Sequence, residues 1–132
     1  MITPPVQRLR ILSVDFTIEH LADGQLPTDD SWYALLRAPE GLTVVREARG
    51  PGEPSTATAS PQDRWAGFYG DVAHGLDLPG MLAAVIGPLA AAAVPVFVSS
   101  TFHSDLVLVP RVRMADACVA LRAAGHEVVE SG

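Results

Sequence analysis

The sequence predicts an α+β protein in which two apolar helices pack on one face of an antiparallel sheet. Alternating apolar and polar residues indicate strands on both sides of a Gly/Pro-rich stretch at 48–63. Two later stretches carry apolar residues at helical spacing, the first after Pro79 and the second over 111–124. Residues 65–130 therefore follow the order β-α-β-β-α-β, which is the ferredoxin-like arrangement.

The chain before residue 48 is predicted to form three strands and no strong helix. Residues 8–21 alternate in polarity, which places their polar side chains on one face of a strand. Turn-forming residues follow at 22–31 and 38–41. The strands that these turns delimit, at 32–37 and 42–47, are expected to form a hairpin.

Residues 48–63 are predicted to be a linker. They are rich in Gly, Pro, Ser and Thr and lack large apolar side chains, so they cannot bury enough surface to offset the entropy of ordering. We place a boundary here, between an N-terminal half at 8–47 and a second unit at 64–130. Three strands alone would struggle to enclose a core. The N-terminal half, or a second copy of the chain, is therefore expected to cover the sheet face that the helices leave open.

The second unit contains the two predicted helices and four predicted strands, which lie at 65–72, 95–99, 105–109 and 127–129. Pro79 falls in the first turn of the first helix, where its missing N–H costs nothing. Pro88 lies inside the same helix, so we expect a kink near Ala84 unless another group bonds the carbonyl that the proline leaves free. The second helix is expected to end at Gly125, a typical C-terminal cap.

Composition and charge exclude several classes of partner. The formal net charge is −6 and all nine basic residues are arginines, which argues against binding to nucleic acid or an anionic membrane surface. The apolar stretch at 81–98 is interrupted by one glycine and two prolines and is too short to span a bilayer. With no recognisable signal peptide, we expect a soluble cytoplasmic protein. Cys118, the single cysteine, is expected to be a small buried hydrophobic residue.

Two short motifs carry a resemblance to a known family. Residues 100–105 read Ser-Thr-Phe-His-Ser-Asp, and residues 78–80 read Leu-Pro-Gly. A hairpin of the form S-T-F-x-x-D and a helix-opening L-x-G motif recur in the ACT-domain family, in the branch that includes the CASTOR arginine sensors and small bacterial ACT-domain proteins. Residues 65–130 resemble this branch, and residues 8–47 resemble its degenerate N-terminal ACT-like half more loosely. The resemblance implies a tandem ACT-like protein that binds a small amino acid at an interface between two units.

The resemblance also implies which residues bind the ligand, namely the entry to the first helix and the neighbouring hairpin. The expected site residues are Leu78, Gly80, Met81, Thr101, Phe102 and Asp105. Backbone N–H groups at a helix start suit a carboxylate, and a glycine there allows close approach. Asp105 can accept an ammonium or guanidinium group. Because His103 and Ser104 replace residues that shape the side-chain pocket in the sensors, arginine specificity is not carried over.

Each site residue also has a purely structural interpretation. Asp105 can stabilise the hairpin turn, Gly80 can permit close helix–strand packing, and Phe102 can be a core or interface residue. His20 and His126 are expected at the solvated ends of strands. No metal or other cofactor is expected, since the His and Asp residues of the turns lack metal-binding spacing.

The sequence therefore predicts a non-catalytic regulatory protein, homodimeric, that binds a small amino acid or a related metabolite. One alternative is a structural or partner-binding module whose ligand crevice is filled by Trp32, Tyr33 or Phe68. The other is a small enzyme on the same fold. It is disfavoured because the chain has no G-x-S-x-G, C-x-x-C, Walker A or G-x-G-x-x-G motif.

Overall fold

The computed structural model describes residues 5–48, 64–71 and 79–130. The described strands are β1 (Arg8–Leu21), β2 (Trp32–Ala38), β3 (Gly41–Glu47), β4 (Trp65–Gly70), β5 (Phe97–Ser100), β6 (Asp105–Pro110) and β7 (Glu127–Glu130). The described helices are α1 (Met81–Ala91) and α2 (Met114–Ala123), the latter preceded by a 3-10 turn at Arg111–Arg113. Neither helix within the described ranges is long and apolar enough to cross a membrane.

All seven strands join in one sheet, and β1 is at its centre. The strand order is β2-β3-β1-β4-β6-β5, and β7 pairs with β1. One edge of β1 pairs antiparallel with β4. The other edge is shared, because residues 8–11 pair parallel with β7 and residues 16–21 pair antiparallel with β3. A 14-residue strand is long enough to serve both partners, which is why one strand joins the N-terminal hairpin to the rest of the molecule.

The α+β class is confirmed, and the predicted β-α-β-β-α-β order is present as β4-α1-β5-β6-α2-β7. The sheet departs from the ferredoxin-like arrangement at its last strand. In that arrangement the last strand of the unit lies beside the first, whereas here β1 lies between β4 and β7. The N-terminal strand thus contributes to the middle of the sheet instead of lying beside it.

One face of the sheet packs against both helices. Phe68 of β4 and Val107 of β6 meet Leu89 of α1 and Leu121 of α2, and all four side chains are buried. Cys118 of α2 packs at the margin of this cluster. Burial raises the pKa of its thiol above the ordinary value, with Arg122 lowering it and Glu130 raising it by smaller amounts. Cys118 packs against the core as expected, but it is only partly buried, whereas the sequence predicted a buried residue.

The opposite face of the sheet carries a second core, to which side chains of the N-terminal strands contribute. Phe16 of β1 and Val45 of β3 pack with Leu106 and Leu108 of β6. The ring of Phe16 lies over Gly67. A Cβ added to that glycine would come within 2.9 Å of the Phe16 Cε2 atom. Two cores, one on each side of the sheet, therefore stabilise the fold.

Residues 49–63 of the predicted linker lie outside the described residues. The strands on either side of it pair directly, since β1 bonds β4. The division into a half at 8–47 and a unit at 64–130 stays a prediction.

Candidate functional site

The structure describes five of the six predicted site residues, and Leu78 lies outside the described ranges. Gly80 is the N-cap of α1 and is exposed, with φ of 84° in the left-handed region that favours glycine. Met81 is the first residue of the helix. Among the described residues, no side chain caps this helix start, and its first turn holds no acidic residue. As at the start of any helix, its first N–H groups have no partner from within the helix.

The hairpin between β5 and β6 is held by the Thr101 hydroxyl. This hydroxyl accepts hydrogen bonds from the Ser104 N–H at 3.1 Å and the His103 N–H at 3.3 Å, and it lies 2.7 Å from the Tyr69 hydroxyl. The Thr101 backbone N–H donates to the Ser104 carbonyl at 2.7 Å. Thr101 therefore has a clear structural role in shaping the turn.

Phe102 and Asp105 differ in their surroundings. Phe102 is 73% exposed and makes an edge-on contact with the His103 ring, so the interpretation of Phe102 as a core residue is wrong. Asp105 is half-buried, and its Oδ1 accepts a hydrogen bond from the Ser100 hydroxyl at 2.6 Å. Because Val107 and Val109 lie in the helix-side core, strand alternation directs Asp105 to the same face as the helices.

The topology brings Gly80 and Asp105 to the same end of the sheet. Tyr69 near the end of β4 pairs with Leu106 near the start of β6. The start of α1 is tied to the segment that precedes β1, since the Gln7 side-chain amide donates to the Met81 carbonyl at 2.7 Å. β4 lies between these two positions. One ligand can therefore touch both only by extending across the end of β4.

Charged residues at this end of the sheet are already paired. Asp71 follows β4, and its carboxylate lies 3.2 Å from Arg8 Nε and 2.8 Å from Arg10 Nη2. In the described part of the chain, no group of three or more His, Cys, Asp or Glu residues is placed to hold a metal ion. His74 and Asp77, two of the turn residues whose spacing was judged unsuited to a metal, lie outside that part.

A cleft of about 540 Å³ opens on the flank of α1, next to Gly80. We call it the α1 cleft. Its floor is the small-residue side of the helix, including Ala83, Gly87 and Pro88, and its far wall includes Val6 from the segment before β1. His126 is the one residue with a polar side chain in its described lining.

His126 was predicted at a solvated strand end, and this prediction is wrong. The side chain is 5% exposed. Its Nδ1 accepts the backbone N–H of Gln7 at 3.0 Å, so the proton resides on Nε2, which donates to the Ala84 carbonyl at 2.7 Å. The Ala84 carbonyl would bond the N–H of residue 88 in a regular helix, but residue 88 is proline. His126 supplies the missing donor, and α1 continues through Pro88 to Ala91.

Replacing His126 with leucine is expected to lower the free energy of unfolding by about 2 kcal/mol, because the Ala84 carbonyl and the Gln7 N–H both lose their partner. Urea denaturation measures this loss. The matched test measures the effect of His126→Leu again in a Pro88→Ala background, where residue 88 regains its N–H and can bond the Ala84 carbonyl itself. The loss should then fall to about half. An equal loss in both backgrounds would refute the compensation of Pro88 by His126.

Sequence reasoning missed the α1 cleft and His126. One signal for His126 was available, since Pro88 inside a helical pattern requires a donor for the Ala84 carbonyl from elsewhere. The identity of that donor depends on the packing of β7 beside β1, which no local pattern encodes.

The structure thus presents a two-helix α+β unit with an uncapped helix start beside a cleft. Residues 60–123 match the family model of the ACT domain. The matched segment contains β4, α1, the β5–β6 hairpin and α2, which include the predicted site residues. The match supports the ACT-domain family for this part of the chain, a family of typically regulatory domains.

The whole fold is similar to that of two proteins with crystal structures. The protein Atu0741 from Agrobacterium tumefaciens is 26% identical, with a TM-score of 0.83 over 97% of this chain and 96% of that chain. VC0802 from Vibrio cholerae, titled a protein of unknown function and possible transport protein, is 22% identical, with a TM-score of 0.66 over 88% of each chain. The likeness to VC0802 shows the fold alone. No curated protein matches this chain.

Proposed function

We propose that this protein is a non-catalytic ACT-domain regulator that binds a small amino acid or a related metabolite. The observation that carries the proposal is the open cleft beside Gly80 at the uncapped start of α1. The ACT-domain match supports it, because this segment contains both the helix start and the hairpin. A tandem ACT-like organisation, a relation to the CASTOR branch, a homodimer and a cytoplasmic location belong to the same proposal.

The start of α1 is the proposed contact for the ligand's carboxylate. The first backbone N–H groups of a helix point outward and carry partial positive charge, so they favour an anion. Gly80 leaves the approach open on the described side of the helix start, since Pro5 at 3.9 Å is the nearest described residue that a Cβ built on it would meet. Leu78, Gly80 and Met81 are the residues proposed for this contact.

The hairpin residues Thr101, Phe102 and Asp105 are the proposed second contact. Asp105 would accept the ligand's ammonium group, because a carboxylate forms strong charge-assisted bonds with cations. Within one chain β4 separates the hairpin from α1, and the ammonium and carboxylate of an α-amino acid are attached to the same carbon. The hairpin contact is therefore proposed to come from a second copy of the chain, across the interface that the family resemblance implies.

A thermal-shift panel of the twenty amino acids is expected to reveal at least one stabilising ligand. Stabilisation follows RT ln(1 + [L]/Kd), so a ligand at about 100 Kd adds roughly 2.7 kcal/mol. Asp105→Asn should abolish the ligand-induced shift without unfolding the protein, because the charge that would bind the ammonium group is lost while the amide oxygen can still accept the Ser100 hydrogen bond.

Ser100→Ala is the matched control, because it removes the Ser100–Asp105 hydrogen bond and keeps the carboxylate. This variant should retain the shift. If Asp105→Asn and Ser100→Ala lower the ligand-free melting temperature equally and the ligand-induced shift survives in both, Asp105 acts in the hairpin turn alone.

A structural or partner-binding module is the second candidate, and the exposed residues of β2 favour it. Trp32, Tyr33 and Leu36 are 41%, 51% and 67% exposed on this edge strand, and such edges can pair with another chain. Two of them, Trp32 and Tyr33, were expected to fill the ligand crevice of a scaffold protein. None of them, nor the buried Phe68, is among the described residues that line the α1 cleft, which favours the ligand-binding proposal.

A further inference from the structure

We infer that the ligand carries an apolar side chain, which occupies the α1 cleft while its carboxylate lies at the start of α1. This inference rests on the proposed function and adds the chemical class of the ligand. It follows from the lining of the cleft, its size and its position next to Gly80.

Among the residues that the structure describes, the lining of the cleft offers no free polar group to a charged or strongly polar side chain. Its described residues are alanines, glycines, prolines and Val6, together with His126. Both ring nitrogens of His126 already have partners, the Gln7 N–H and the Ala84 carbonyl. An ammonium, guanidinium or carboxylate group placed here would lose its water without gaining a hydrogen bond from a lining side chain, which is strongly unfavourable. An apolar side chain loses nothing in the same space and gains from burial.

The size of the cleft suits a small molecule. Its volume of about 540 Å³ lies within the range of roughly 300–1,000 Å³ that is typical of ligand pockets. The small side chains on this flank of α1 create the space. At Gly87 a built Cβ meets no atom of the described residues within 4 Å, apart from its chain neighbours and its own helix backbone, so a larger residue there would project into the cleft.

The position of the cleft indicates an amino acid more than a plain hydrocarbon. Gly80, the N-cap of α1, is itself part of the lining. A molecule in the cleft therefore lies beside the electropositive end of a helix, which complements a carboxylate. An apolar body joined to a carboxylate is the chemistry of the aliphatic, sulfur-containing and aromatic amino acids.

The test measures binding of each of the twenty amino acids by thermal shift and by calorimetry. With the unchanged chain, the ligands that stabilise should be apolar, from the set Val, Leu, Ile, Met and Phe. Ala83→Leu and Gly87→Leu each place a larger side chain in the cleft and should weaken binding at least about tenfold, a loss of roughly 1.4 kcal/mol.

A control variant separates filling of the cleft from other effects of an added leucine. Ala115→Leu makes the same change as Ala83→Leu at an exposed position in the first turn of α2, outside the described lining of the cleft. This control should bind within about threefold of the unchanged chain. If Gly87→Leu fails to fold, Ala83→Leu decides the result.

The outcomes distinguish this inference from the proposed function. Stabilisation by charged or polar amino acids alone would overturn the apolar class and leave an amino-acid sensor. If both leucine variants bind an apolar amino acid as tightly as the unchanged chain does, the ligand's side chain does not lie in the α1 cleft. A dimer in the unchanged chain that Ala83→Leu dissociates, with no ligand effect, would assign the cleft to a second copy and also overturn the inference. Stabilisation by none of the twenty would instead refute the proposed function.

Discussion

Replacing Phe16 with alanine is expected to lower the free energy of unfolding by about 3–5 kcal/mol, as for other fully buried aromatic residues. Phe16 has no exposed surface and contacts side chains from several strands on the helix-free face of the sheet. Its ring packs edge-on against Tyr33 of β2, with centroids 4.9 Å apart. It also packs in one cluster with Leu108 of β6. Urea denaturation of the two chains measures the loss.

The contact between Phe16 and Gly67 provides a sharper form of this test. In the unchanged chain Gly67→Ala should cost about 1–3 kcal/mol, because its Cβ would approach Phe16 Cε2 to 2.9 Å and Leu108 Cδ2 to 3.3 Å. Removal of the Phe16 ring eliminates the closer of these contacts. Gly67→Ala should therefore cost clearly less in a Phe16→Ala background. Additive costs would mean that the ring does not lie over Gly67.

Replacing Glu19 with alanine should lower the free energy of unfolding by about 3 kcal/mol, the cost of leaving a buried charge without its partner. Arg46 is the affected charge. Its side chain is 6% exposed, and its Nε lies 3.2 Å from the carboxylate of Glu19, itself 10% exposed. This Nε makes no hydrogen bond, so the ion pair is its main compensation. Asp29 remains 3.1 Å from the Arg46 Nη1, which keeps the loss near the lower end of the usual range.

The ion pair between Arg113 and Asp116 is the control for this prediction. The two side chains are 33% and 64% exposed, and Asp116→Ala should change stability by less than about 1 kcal/mol. The loss in Glu19→Ala should persist in 0.5 M salt, since buried pairs are weakly screened. If the two variants lose the same stability, or if salt removes the loss in Glu19→Ala, Arg46 is hydrated and not buried.

Local patterns predicted most of the described elements. Alternation located β1, and turn residues located β2 and β3 within a residue or two of their observed bounds. Gly125 follows α2 with φ of 98°, as a C-terminal glycine cap requires. These predictions succeeded because periodicity and turn chemistry are properties of neighbours in the chain.

The partner of β7 could not be predicted in this way. Val128 is an inward-facing residue of a short strand, and it would bury equally well beside β4 or beside β1. The length of β1 decides between these partners, because residues 8–11 extend beyond the part that pairs with β3 and leave an edge for β7. Sequence periodicity indicates that a strand exists but not which strand it joins.

The candidate site was predictable only in part. The motif residues Gly80 and Asp105 were identified, and the topology places both at one end of the sheet. The α1 cleft was missed because Val6, Gly87 and His126 are far apart in the sequence and meet only in the folded chain. Small residues on a helix give no sign of a cleft until the wall opposite them is known.

The bond between His126 and Ala84 has a consequence for how the nascent chain matures. Helix α1 leaves the ribosome before His126 does, so until then the Ala84 carbonyl in its middle turn lacks its His126 partner. Only when the final strand docks does the helix acquire its complete set of backbone bonds. The cleft beside that turn is thus among the last of the described parts of the chain to take shape, since His126 in its lining immediately precedes β7.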